Sequence, residues 1–303
     1  MNKDIIAAIE QIVSKEDIYR NELMSRHTTF RTGGPASSFI RPSCLQELIS
    51  VVKLLKNAEV EYFVLGNGSN LLVSDSGYDG VVISLGKFSN ISLEGETRIC
   101  ADAGAMNSNV AAFARDNSLT GFEFAAGIPG TIGGAMIMNA GAYGGEMKDI
   151  TIHVNVLSPE GEVIKLANDS MKFGYRTSAI KGKDFIVVSA VLELKKGEKD
   201  EITKAMQELA LKRKEKQPLE YPSAGSTFKR PEGYFAGKLI EDAGLRGFCV
   251  GDACVSDKHC GFVINKGKAT SSDIYELIRK VKDKVYEDSE VMLEPEVIML
   301  GKF

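Results

Sequence analysis

Residues 126–145 read AGIPGTIGGAMIMNAGAYGG and carry the strongest structural signal in the sequence. Seven glycines lie between Gly127 and Gly145. In the interior of a helix or strand each glycine costs about 0.5–1 kcal/mol relative to alanine, so an ordinary core element would not contain so many. Apolar residues such as Ile128, Ile132 and Met136 argue against a flexible linker. The stretch therefore predicts backbone that packs against a flat ligand, or against a pyrophosphate at a helix start.

A second glycine-containing segment, LGNGSNL at residues 65–71, directly follows the apolar run Tyr62–Leu65, which predicts a short strand. Glycines let backbone N–H groups converge on a phosphate, and Ser69 and Asn70 add side-chain donors. The segment is not a Rossmann dinucleotide fingerprint, because Leu71 occupies the place of the third glycine and no helix is predicted to begin there. Taken alone, the segment also fits a plain tight turn.

The composition of the whole chain limits its class. With 303 residues, 44% of them apolar and 26% charged, the chain is long enough for two or three globular domains. A net charge of −4 gives no reason to expect a nucleic-acid or membrane partner. No apolar run reaches the roughly 18 residues that suggest a spanning helix. Asp4 and Glu10 interrupt what would be the apolar part of a signal peptide, so we expect a cytoplasmic protein.

The five cysteines form an odd and scattered set without a C-x-x-C pair, which predicts reduced thiols rather than a disulfide framework. Cys254, His259 and Cys260 are the alternative, as soft metal ligands. Their spacing fits no common zinc pattern, and free cysteine is usually a small buried hydrophobic residue, so we expect no metal.

The distribution of charge and apolar periodicity predicts the remaining organisation. The charged stretch Lys195–Glu201 indicates a domain boundary or a linker. The basic run Lys212–Lys216 indicates a solvated helix face, with steering of a substrate phosphate as the alternative. Apolar spacing predicts helices over Glu47–Lys56, near residues 108–118, just after Gly130 and over Ala236–Ala243. Thr270–Asp273 begins a further helix with a capping box, and a last strand is predicted at Val297–Met299.

The combination of Gly66–Asn70 with Gly127–Ala135 resembles the flavin domain shared by vanillyl-alcohol oxidase and p-cresol methylhydroxylase. Within that superfamily, further blocks resemble UDP-N-acetylenolpyruvoylglucosamine reductases (MurB), and they follow one another in the family's order from about residue 27 to the C-terminus. They are HTTFRTGGP at 27–35, FGYR at 173–176, AGSTFK at 224–229 and LEPEV at 293–297. The compact interval between Arg176 and Ser226 is similar to the shorter, type II form, which lacks a substrate-covering loop.

The resemblance implies an α+β fold: a two-lobed FAD-binding domain of the vanillyl-alcohol oxidase and p-cresol methylhydroxylase type, plus a smaller C-terminal α/β substrate-binding domain. We place the first over residues 1–200, with lobes of about 1–85 and 86–200, and the second over residues 201–303. FAD is expected to bind non-covalently, with contacts from the two glycine-rich segments. These are Gly66, Asn67, Gly68, Ser69, Asn70, Leu71, Gly127, Ile128, Pro129, Gly130, Thr131, Gly133, Gly134, Asn139 and Gly141.

The resemblance also implies the activity: NADPH-dependent reduction of UDP-N-acetylglucosamine enolpyruvate to UDP-N-acetylmuramate, in the synthesis of peptidoglycan precursors. Arg176 matches the family position that holds the substrate carboxylate, and Ser226 the proton donor. Glu296 matches the third catalytic position, as a neutral acid that hydrogen-bonds the intermediate or relays a proton. Substrate contacts are expected from these three and from Tyr175, Lys229 and Arg230. The longer form has asparagine where Arg230 stands, so its diphosphate contacts are not carried over.

Two alternatives remain beside this reductase hypothesis. One is an FAD-dependent oxidase of a small alcohol or hydroxy acid that uses oxygen in place of NADPH. The other is a catalytically silent module that binds flavin or a nucleotide sugar. Some members of the wider superfamily attach flavin covalently through a histidine, but His27 matches the His-Thr-Thr-Phe block of the reductases, and we expect it to be structural.

Overall fold

The computed structural model describes residues 3–303, which form eight α-helices and nineteen β-strands. Residues 1 and 2, which the predicted first domain includes, lie outside the described residues. The helices are α1 (Lys3–Ile9), α2 (Leu45–Asn57), α3 (Asn107–Asp116), α4 (Ile132–Met138), α5 (Asn168–Met171), α6 (Lys199–Lys216), α7 (Ala236–Asp242) and α8 (Ser271–Ser289). None of these described helices has the length and apolar character that crossing a membrane requires. The strands are β1 (Ile18–Leu23), β2 (Pro35–Ile40), β3 (Tyr62–Leu65), β4 (Leu71–Val73), β5 (Tyr78–Ser84), β6 (Ile91–Glu94), β7 (Arg98–Asp102), β8 (Leu119–Thr120), β9 (Gly141–Ala142), β10 (Gly145–Glu146), β11 (Thr151–Leu157), β12 (Val163–Ala167), β13 (Ile186–Glu193), β14 (Lys195–Lys196), β15 (Ser223–Ser226), β16 (Cys249–Val250), β17 (Ala253–Val255), β18 (Phe262–Asn265) and β19 (Ile298–Leu300).

The described chain divides into two compact units, each made of several chain segments. Unit 1 contains the described residues up to Tyr19, together with Phe39–Asn67 and Val82–Arg213. Unit 2 contains Arg20–Ser38, Gly68–Val81 and Lys214–Phe303. Four of the divisions between the units fall inside an element, namely β1, β2, β5 and α6. The three strands belong to one sheet, with the order β1-β2-β5-β3. Neither unit is therefore one continuous piece of sequence.

Unit 1 is organised around an antiparallel five-stranded sheet with the strand order β12-β11-β13-β7-β6. Its central strand, β13, is buried without interruption from Ile186 to Leu192, which explains why the sequence there is a continuous apolar run. Helix α4, which follows the glycine-rich stretch, packs against β13 and β7. The sheet therefore supports the segment in which the sequence predicts the ligand site.

Unit 2 contains an antiparallel four-stranded sheet, β15-β18-β17-β16, with α8 packed against three of its strands. Phe30 and Leu72 come from the two N-terminal segments of unit 2, and both lie in the same apolar core as the residues of α8. Strand β4 pairs in parallel with β19, with Leu71 opposite Ile298. Widely separated parts of the chain therefore complete one core.

Most of the predicted elements are present. The helix predicted over Glu47–Lys56 is α2, the strand predicted at Tyr62–Leu65 is β3, and the helix predicted after Gly130 is α4. The capping box predicted at the start of α8 is confirmed, because Asp273 N donates to Thr270 Oγ1 at 3.0 Å and Thr270 N donates to Asp273 Oδ2 at 2.9 Å.

The division into the two units differs from the predicted boundary near residue 200. The stretch Lys195–Glu201 is not a linker, because Lys195 and Lys196 form β14, which pairs with β8, and α6 begins at Lys199. The last change of unit comes later, between Arg213 and Lys214. As a functional division, residues 1–200 and 201–303 stay a prediction.

The N-terminus of α8 is capped from a distant part of unit 2 by Asp75. Its carboxylate accepts hydrogen bonds from Ser271 N at 2.8 Å, Ser272 N at 2.8 Å and Ser272 Oγ at 2.6 Å. Burial alone would raise the pKa of Asp75, but the hydrogen bonds from Ser272 and Ser271 outweigh it and hold this pKa below its ordinary value. The ionised carboxylate therefore stabilises the helix start.

We expect Asp75→Ala to lower the free energy of unfolding by about 1 kcal/mol at neutral pH, because two N–H groups of the first helical turn lose their acceptor. Since the folded-state pKa is depressed, this contribution is present above the ordinary aspartate pKa of about 3.9 and is lost as the pH falls through the folded-state pKa. Urea unfolding of both proteins between neutral and acidic pH measures the difference. The exposed Asp79→Ala is the matched control, and an equal loss in both variants would contradict the capping role.

Candidate active site

The glycine-rich stretch runs into α4, and the first N–H groups of that helix are bonded to neighbouring backbone. Ile132 N donates to Ala105 O at 2.9 Å, and Gly133 N donates to Ala103 O at 2.8 Å. Because protein carbonyl groups engage these two donors, neither of them is directed at a phosphate. These two N–H groups therefore do not contribute to the predicted pyrophosphate site, and both predicted arrangements stay predictions.

Asn107, the first residue of α3, lies against the same stretch and was missed by the sequence analysis. It is 1% exposed, and it donates from N to Gly130 O at 3.0 Å and from Nδ2 to Ile128 O at 3.4 Å. Its Oδ1 has no hydrogen-bond partner within residues 3–303. A buried acceptor without a partner is costly unless a ligand or water satisfies it. An asparagine at a helix start is usually explained by capping, so its sequence position gave no separate signal.

Gly66, at the end of β3, packs directly on the glycine-rich stretch within unit 1. A Cβ built on Gly66 would lie 2.6 Å from Thr131 Oγ1, a separation that real Cβ atoms essentially never show. The two segments that the sequence analysis singled out therefore meet at this point. Only glycine permits the approach without displacing Thr131, whose own side chain is buried.

Arg213 departs from the predicted solvated face of α6. Its side chain lies against Gly127, since a Cβ built there would be 3.2 Å from Arg213 Nη1 and 3.3 Å from Arg213 Cδ. Burial lowers the pKa of Arg213 from its ordinary value, partly offset by the interaction with Tyr143. A guanidinium therefore lies beside the glycine-rich stretch, which fits the phosphate-steering alternative for this one residue of the basic run.

Arg176 lies in a tight loop that is bonded to the end of the glycine-rich stretch. Gly174 N donates to Thr177 O at 3.1 Å, and Arg176 itself has a left-handed backbone with φ 53°. Arg176 Nη1 donates to Gly141 O at 3.3 Å. The exposed Tyr175 ring lies 5.7 Å from the guanidinium carbon. The loop therefore holds the half-buried guanidinium against the glycine-rich hairpin of unit 1.

Ser226 and Glu296, the two other predicted catalytic residues, lie on neighbouring segments of unit 2. Glu296 N donates to Thr227 O at 2.8 Å, and Lys229 N donates to Glu294 O at 2.9 Å. Thr227 is fully buried and its Oγ1 accepts from Val263 N at 2.9 Å, whereas the adjacent Ser226 is exposed. The buried threonine therefore anchors the segment that presents the serine.

The unit 2 part of the first glycine-containing segment is attached to the same region. Asn70 Nδ2 donates to Glu296 O at 3.1 Å, and Ile298 N donates to Asn70 O at 3.0 Å. Leu71 begins β4, so no helix starts there, as predicted. Asn70, predicted as an FAD contact, thus uses its side-chain amide to hold the backbone of Glu296.

The HTTFRTGGP block contacts the first segment through Gly68, whose carbonyl accepts from Thr29 N at 3.2 Å. His27 Nε2 lies 3.0 Å from Glu22 Oε1, and Arg26 is paired with the same carboxylate at 3.5 Å. These contacts support the structural role expected of His27.

Lys229 and Arg230, the other predicted substrate residues of unit 2, both contact protein groups. Lys229 Nζ is paired with the Glu294 carboxylate. The Arg230 guanidinium lies 3.9 Å from the centre of the exposed Phe235 ring, and Arg230 Nε donates to Tyr234 O at 3.2 Å. These contacts hold both side chains in defined orientations.

The predicted site residues divide between the two units. Unit 2 contains Gly68, Ser69, Asn70, Leu71, Ser226, Lys229, Arg230 and Glu296. Unit 1 contains Gly66, Asn67, Gly127, Ile128, Pro129, Gly130, Thr131, Gly133, Gly134, Asn139, Gly141, Tyr175 and Arg176. The structure thus brings Ser226 close to the Glu296 segment and Arg176 close to Gly141. Convergence of the whole trio stays a prediction.

The prediction that all cysteines are reduced is wrong for one pair. Cys249 and Cys254 face each other on β16 and β17 and form a disulfide with an S–S distance of 2.02 Å. Adjacent antiparallel strands bring their side chains together, which the sequence spacing alone did not reveal. Cys44, Cys100 and Cys260 are free thiols. Within residues 3–303 no three His, Cys, Asp or Glu side chains are grouped so that they could hold a metal ion.

Comparison with known proteins identifies the family. A model of FAD-binding domains matches residues 36–167, and a model of the C-terminal domain of UDP-N-acetylenolpyruvoylglucosamine reductases matches residues 217–300. The UDP-N-acetylenolpyruvoylglucosamine reductase of Clostridioides difficile (strain 630) is 50% identical over 301 residues, which cover 99% of each chain. The chain belongs to the UDP-N-acetylenolpyruvoylglucosamine reductase family. The crystal structure of the family member from Thermus caldophilus matches with a TM-score of 0.81 and 37% identity, over 94% of this chain and 99% of that one.

Membership of this family confirms the predicted fold class and cofactor. The protein is an FAD-dependent oxidoreductase with an FAD-binding domain and a reductase C-terminal domain in an α+β fold. The glucose dehydrogenase Phl p 4.0202 matches with a TM-score of 0.51 and 17% identity over 64% of this chain and 44% of that one, which shows a shared fold alone. Nothing in these findings favours the predicted oxidase alternative.

The residues of unit 1 fit FAD. The absence of a side chain at Gly66 lets the Thr131 side chain pack against its backbone, so the two glycine-containing segments lie together without a bulky group at this point. The buried Oδ1 of Asn107 is an acceptor that a bound molecule can satisfy, and Arg213 supplies a cation beside Gly127. We expect these residues to contribute to FAD binding together with the predicted glycines.

We expect Gly66→Ala to weaken FAD binding by about tenfold or more, because the added methyl group overpacks the contact with Thr131 and shifts the backbone that faces the cofactor. Titration of apo-protein with FAD, followed by flavin fluorescence, measures the dissociation constant. Gly86→Ala is the matched control, since a Cβ there would meet only Ser84 Oγ at 3.5 Å. Equal FAD affinity in the two variants would show that the Gly66 contact does not support the cofactor site.

Proposed function

We propose that the protein reduces UDP-N-acetylglucosamine enolpyruvate to UDP-N-acetylmuramate with electrons from NADPH, as a cytoplasmic step in peptidoglycan precursor synthesis. The full-length identity to UDP-N-acetylenolpyruvoylglucosamine reductases supports the reaction. The observation that carries the residue roles is the backbone bond from Glu296 N to Thr227 O, which lies next to Ser226. Two chemically complementary groups, a hydroxyl and a carboxyl, are thereby held on adjacent segments.

The residues of the chain then bind the substrate and move a proton. When bound, FAD supplies hydride transfer from NADPH to the terminal carbon of the enolpyruvyl group. Negative charge develops on the substrate's adjacent carbon and its carboxylate during this step. Arg176 binds the carboxylate, because its planar fork matches a carboxylate in two parallel hydrogen bonds and its charge favours the developing anion.

Ser226 donates the proton that completes the reduction. A serine hydroxyl is a weak acid, so it serves only where the substrate carbon has become strongly basic and the geometry is fixed. The fully buried Thr227 and its bond to Val263 N supply that fixed geometry for the neighbouring serine. Glu296 hydrogen-bonds the charged intermediate or relays a proton, and Tyr175, Lys229 and Arg230 contribute to binding of the UDP-sugar.

We expect Ser226→Ala to leave reduction of the flavin by NADPH unchanged and to slow its reoxidation by the enolpyruvyl substrate by about a hundredfold or more, because the proton donor is lost. Stopped-flow flavin absorbance separates the two half-reactions. Ser223→Ala, on the same strand, is the control and should leave both unchanged. Loss of reduction by NADPH with retained reoxidation would refute the role of Ser226.

Glu296→Gln should affect the same half-reaction, with reoxidation slowed by about a hundredfold, because a group that stabilises charge in the transition state is altered. The same stopped-flow measurement applies, with the exposed Glu287→Gln as the charge-matched control. Catalysis by Glu296→Gln at the wild-type rate would remove Glu296 from the proposal without affecting the role of Ser226. A protein that binds FAD and the UDP-sugar but turns over neither would support the silent-module alternative.

A further inference from the structure

Beside Arg176, strands β9 and β10 form a short hairpin that carries a carboxylate, Glu146. The two turn residues, Tyr143 and Gly144, have φ values of 54° and 90°, as two-residue hairpins of the type I′ class require. The register pairs Glu146 with Gly141. A Cβ built on Gly141 would lie 2.7 Å from Glu146 Cγ, so the absence of a side chain at Gly141 lets the Glu146 side chain lie across the strand.

The Glu146 carboxylate is the centre of a hydrogen-bond network inside unit 1. Glu146 Oε2 accepts from Asn139 Nδ2 at 2.9 Å and is paired with Lys148 Nζ at 2.8 Å. The same Asn139 amide donates to Gly174 O at 3.1 Å, and Asn139 Oδ1 accepts from Lys148 N at 2.9 Å. Asn139, predicted as an FAD contact, is 2% exposed and uses its side chain to link Glu146 to the Gly174–Thr177 loop.

Gly141 joins the other end of this network to the guanidinium of Arg176. Arg176 Nη1 donates to the carbonyl of Gly141, the residue that Glu146 crosses. The backbone after Arg176 is also fixed, since Lys181 Nζ donates to Arg176 O at 2.8 Å and Ser178 Oγ donates to Ile137 O at 2.8 Å. Two routes therefore connect Glu146 to Arg176: through Asn139 to the loop backbone, and across Gly141 to the side chain.

The negative charge of Glu146 favours the same position of the Arg176 guanidinium as these contacts do. Hydrogen bonding from Lys148 lowers the pKa of Glu146 most, burial opposes it, and Asn139 and the charge of Arg176 lower it further. The carboxylate is therefore ionised at neutral pH and attracts the guanidinium. An arginine side chain has several flexible torsions, so a fixed opposite charge reduces the orientations that it samples.

We propose that Glu146 is a positioning residue for Arg176. The ionised carboxylate of Glu146 fixes the Gly174–Thr177 loop through Asn139 and keeps the Arg176 guanidinium at Gly141, so that the guanidinium is already oriented towards the substrate carboxylate. This inference rests on the function proposed for Arg176. In this proposal Glu146 acts through Arg176 and not directly on the reacting atoms. Its effect is confined to the half-reaction in which Arg176 binds the enolpyruvyl carboxylate.

The test compares Glu146→Gln with Glu146→Asp in the FAD-loaded enzyme, with the exposed Glu162→Gln as the matched control. Glu146→Gln keeps the shape and the acceptor for Asn139 but removes the charge. We expect unchanged thermal stability, FAD affinity and flavin reduction by NADPH, and reoxidation by the enolpyruvyl substrate slowed by about tenfold to a hundredfold. Glu146→Asp keeps the charge on a shorter side chain and should give an intermediate rate.

A double-variant comparison distinguishes positioning of Arg176 from a general structural role. Arg176→Lys keeps a positive charge but not the planar fork, and adding Glu146→Gln to it should slow reoxidation no further, because both changes disturb one interaction. If the double variant slows reoxidation by the product of the two single effects, the inference is overturned. Equal slowing of flavin reduction and flavin reoxidation by Glu146→Gln would also overturn it. If Glu146→Gln does not fold, Glu146→Asp is used instead, provided that it has wild-type stability. A wild-type rate of reoxidation in Glu146→Asp would then refute the inference.

The same data separate this inference from the proposed function. Unchanged reoxidation in Arg176→Lys and Arg176→Ala would refute the role of Arg176 itself, and with it the inference. Slow reoxidation in the Arg176 variants together with normal reoxidation in Glu146→Gln would overturn the positioning role alone.

Discussion

Close packing of a neighbouring side chain on the backbone of a glycine is the constraint on which the candidate site depends. Gly66 approaches Thr131 so closely that no Cβ fits between them, and Gly141 lets Glu146 cross its strand. At each contact the missing side chain of glycine makes room for the side chain of a neighbouring residue. The conformational cost of so many glycines is offset by the five-stranded sheet of unit 1, on which α4 rests.

The residues with proposed catalytic roles are found in both units. Unit 1 contains the glycine-rich stretch and the fixed cation Arg176, whereas unit 2 contains the hydroxyl of Ser226 and the carboxyl of Glu296. In both units a buried polar residue holds a residue with a proposed role: Asn139 bonds the loop of Arg176, and Thr227 anchors the segment of Ser226. Buried hydrogen bonds of this kind restrict rotation more than exposed ones do, because water does not compete for them.

Local signals in the sequence predicted much of the fold, and non-local pairings account for the errors. Amphipathic spacing identified α2 and α8, because a helix repeats its buried face within a few residues. The charged stretch after β13 looked like a linker, since its partner β8 lies far away in sequence. The same limit applies to Asp75, whose bonds to Ser271 and Ser272 leave no local pattern. Asn107 was missed because an asparagine at a helix start is commonly explained by capping, and the position of Arg213 beside Gly127 was not specified because an arginine on a polar helix is commonly solvated.

The assembly of unit 2 from three segments has a consequence for synthesis on the ribosome. A nascent chain leaves the ribosome with its N-terminus first. The partner strand of β4 is β19, which is synthesised more than 200 residues later, and Ser74 Oγ also donates to Lys302 O at 2.6 Å. Phe30 and Leu72, fully buried in the folded protein, therefore stay uncovered until the residues of α8 have been synthesised. Unit 1 ends at Arg213, so all its residues are synthesised before those of α8 and β19. Phe30 and Leu72 are exposed to water during that interval.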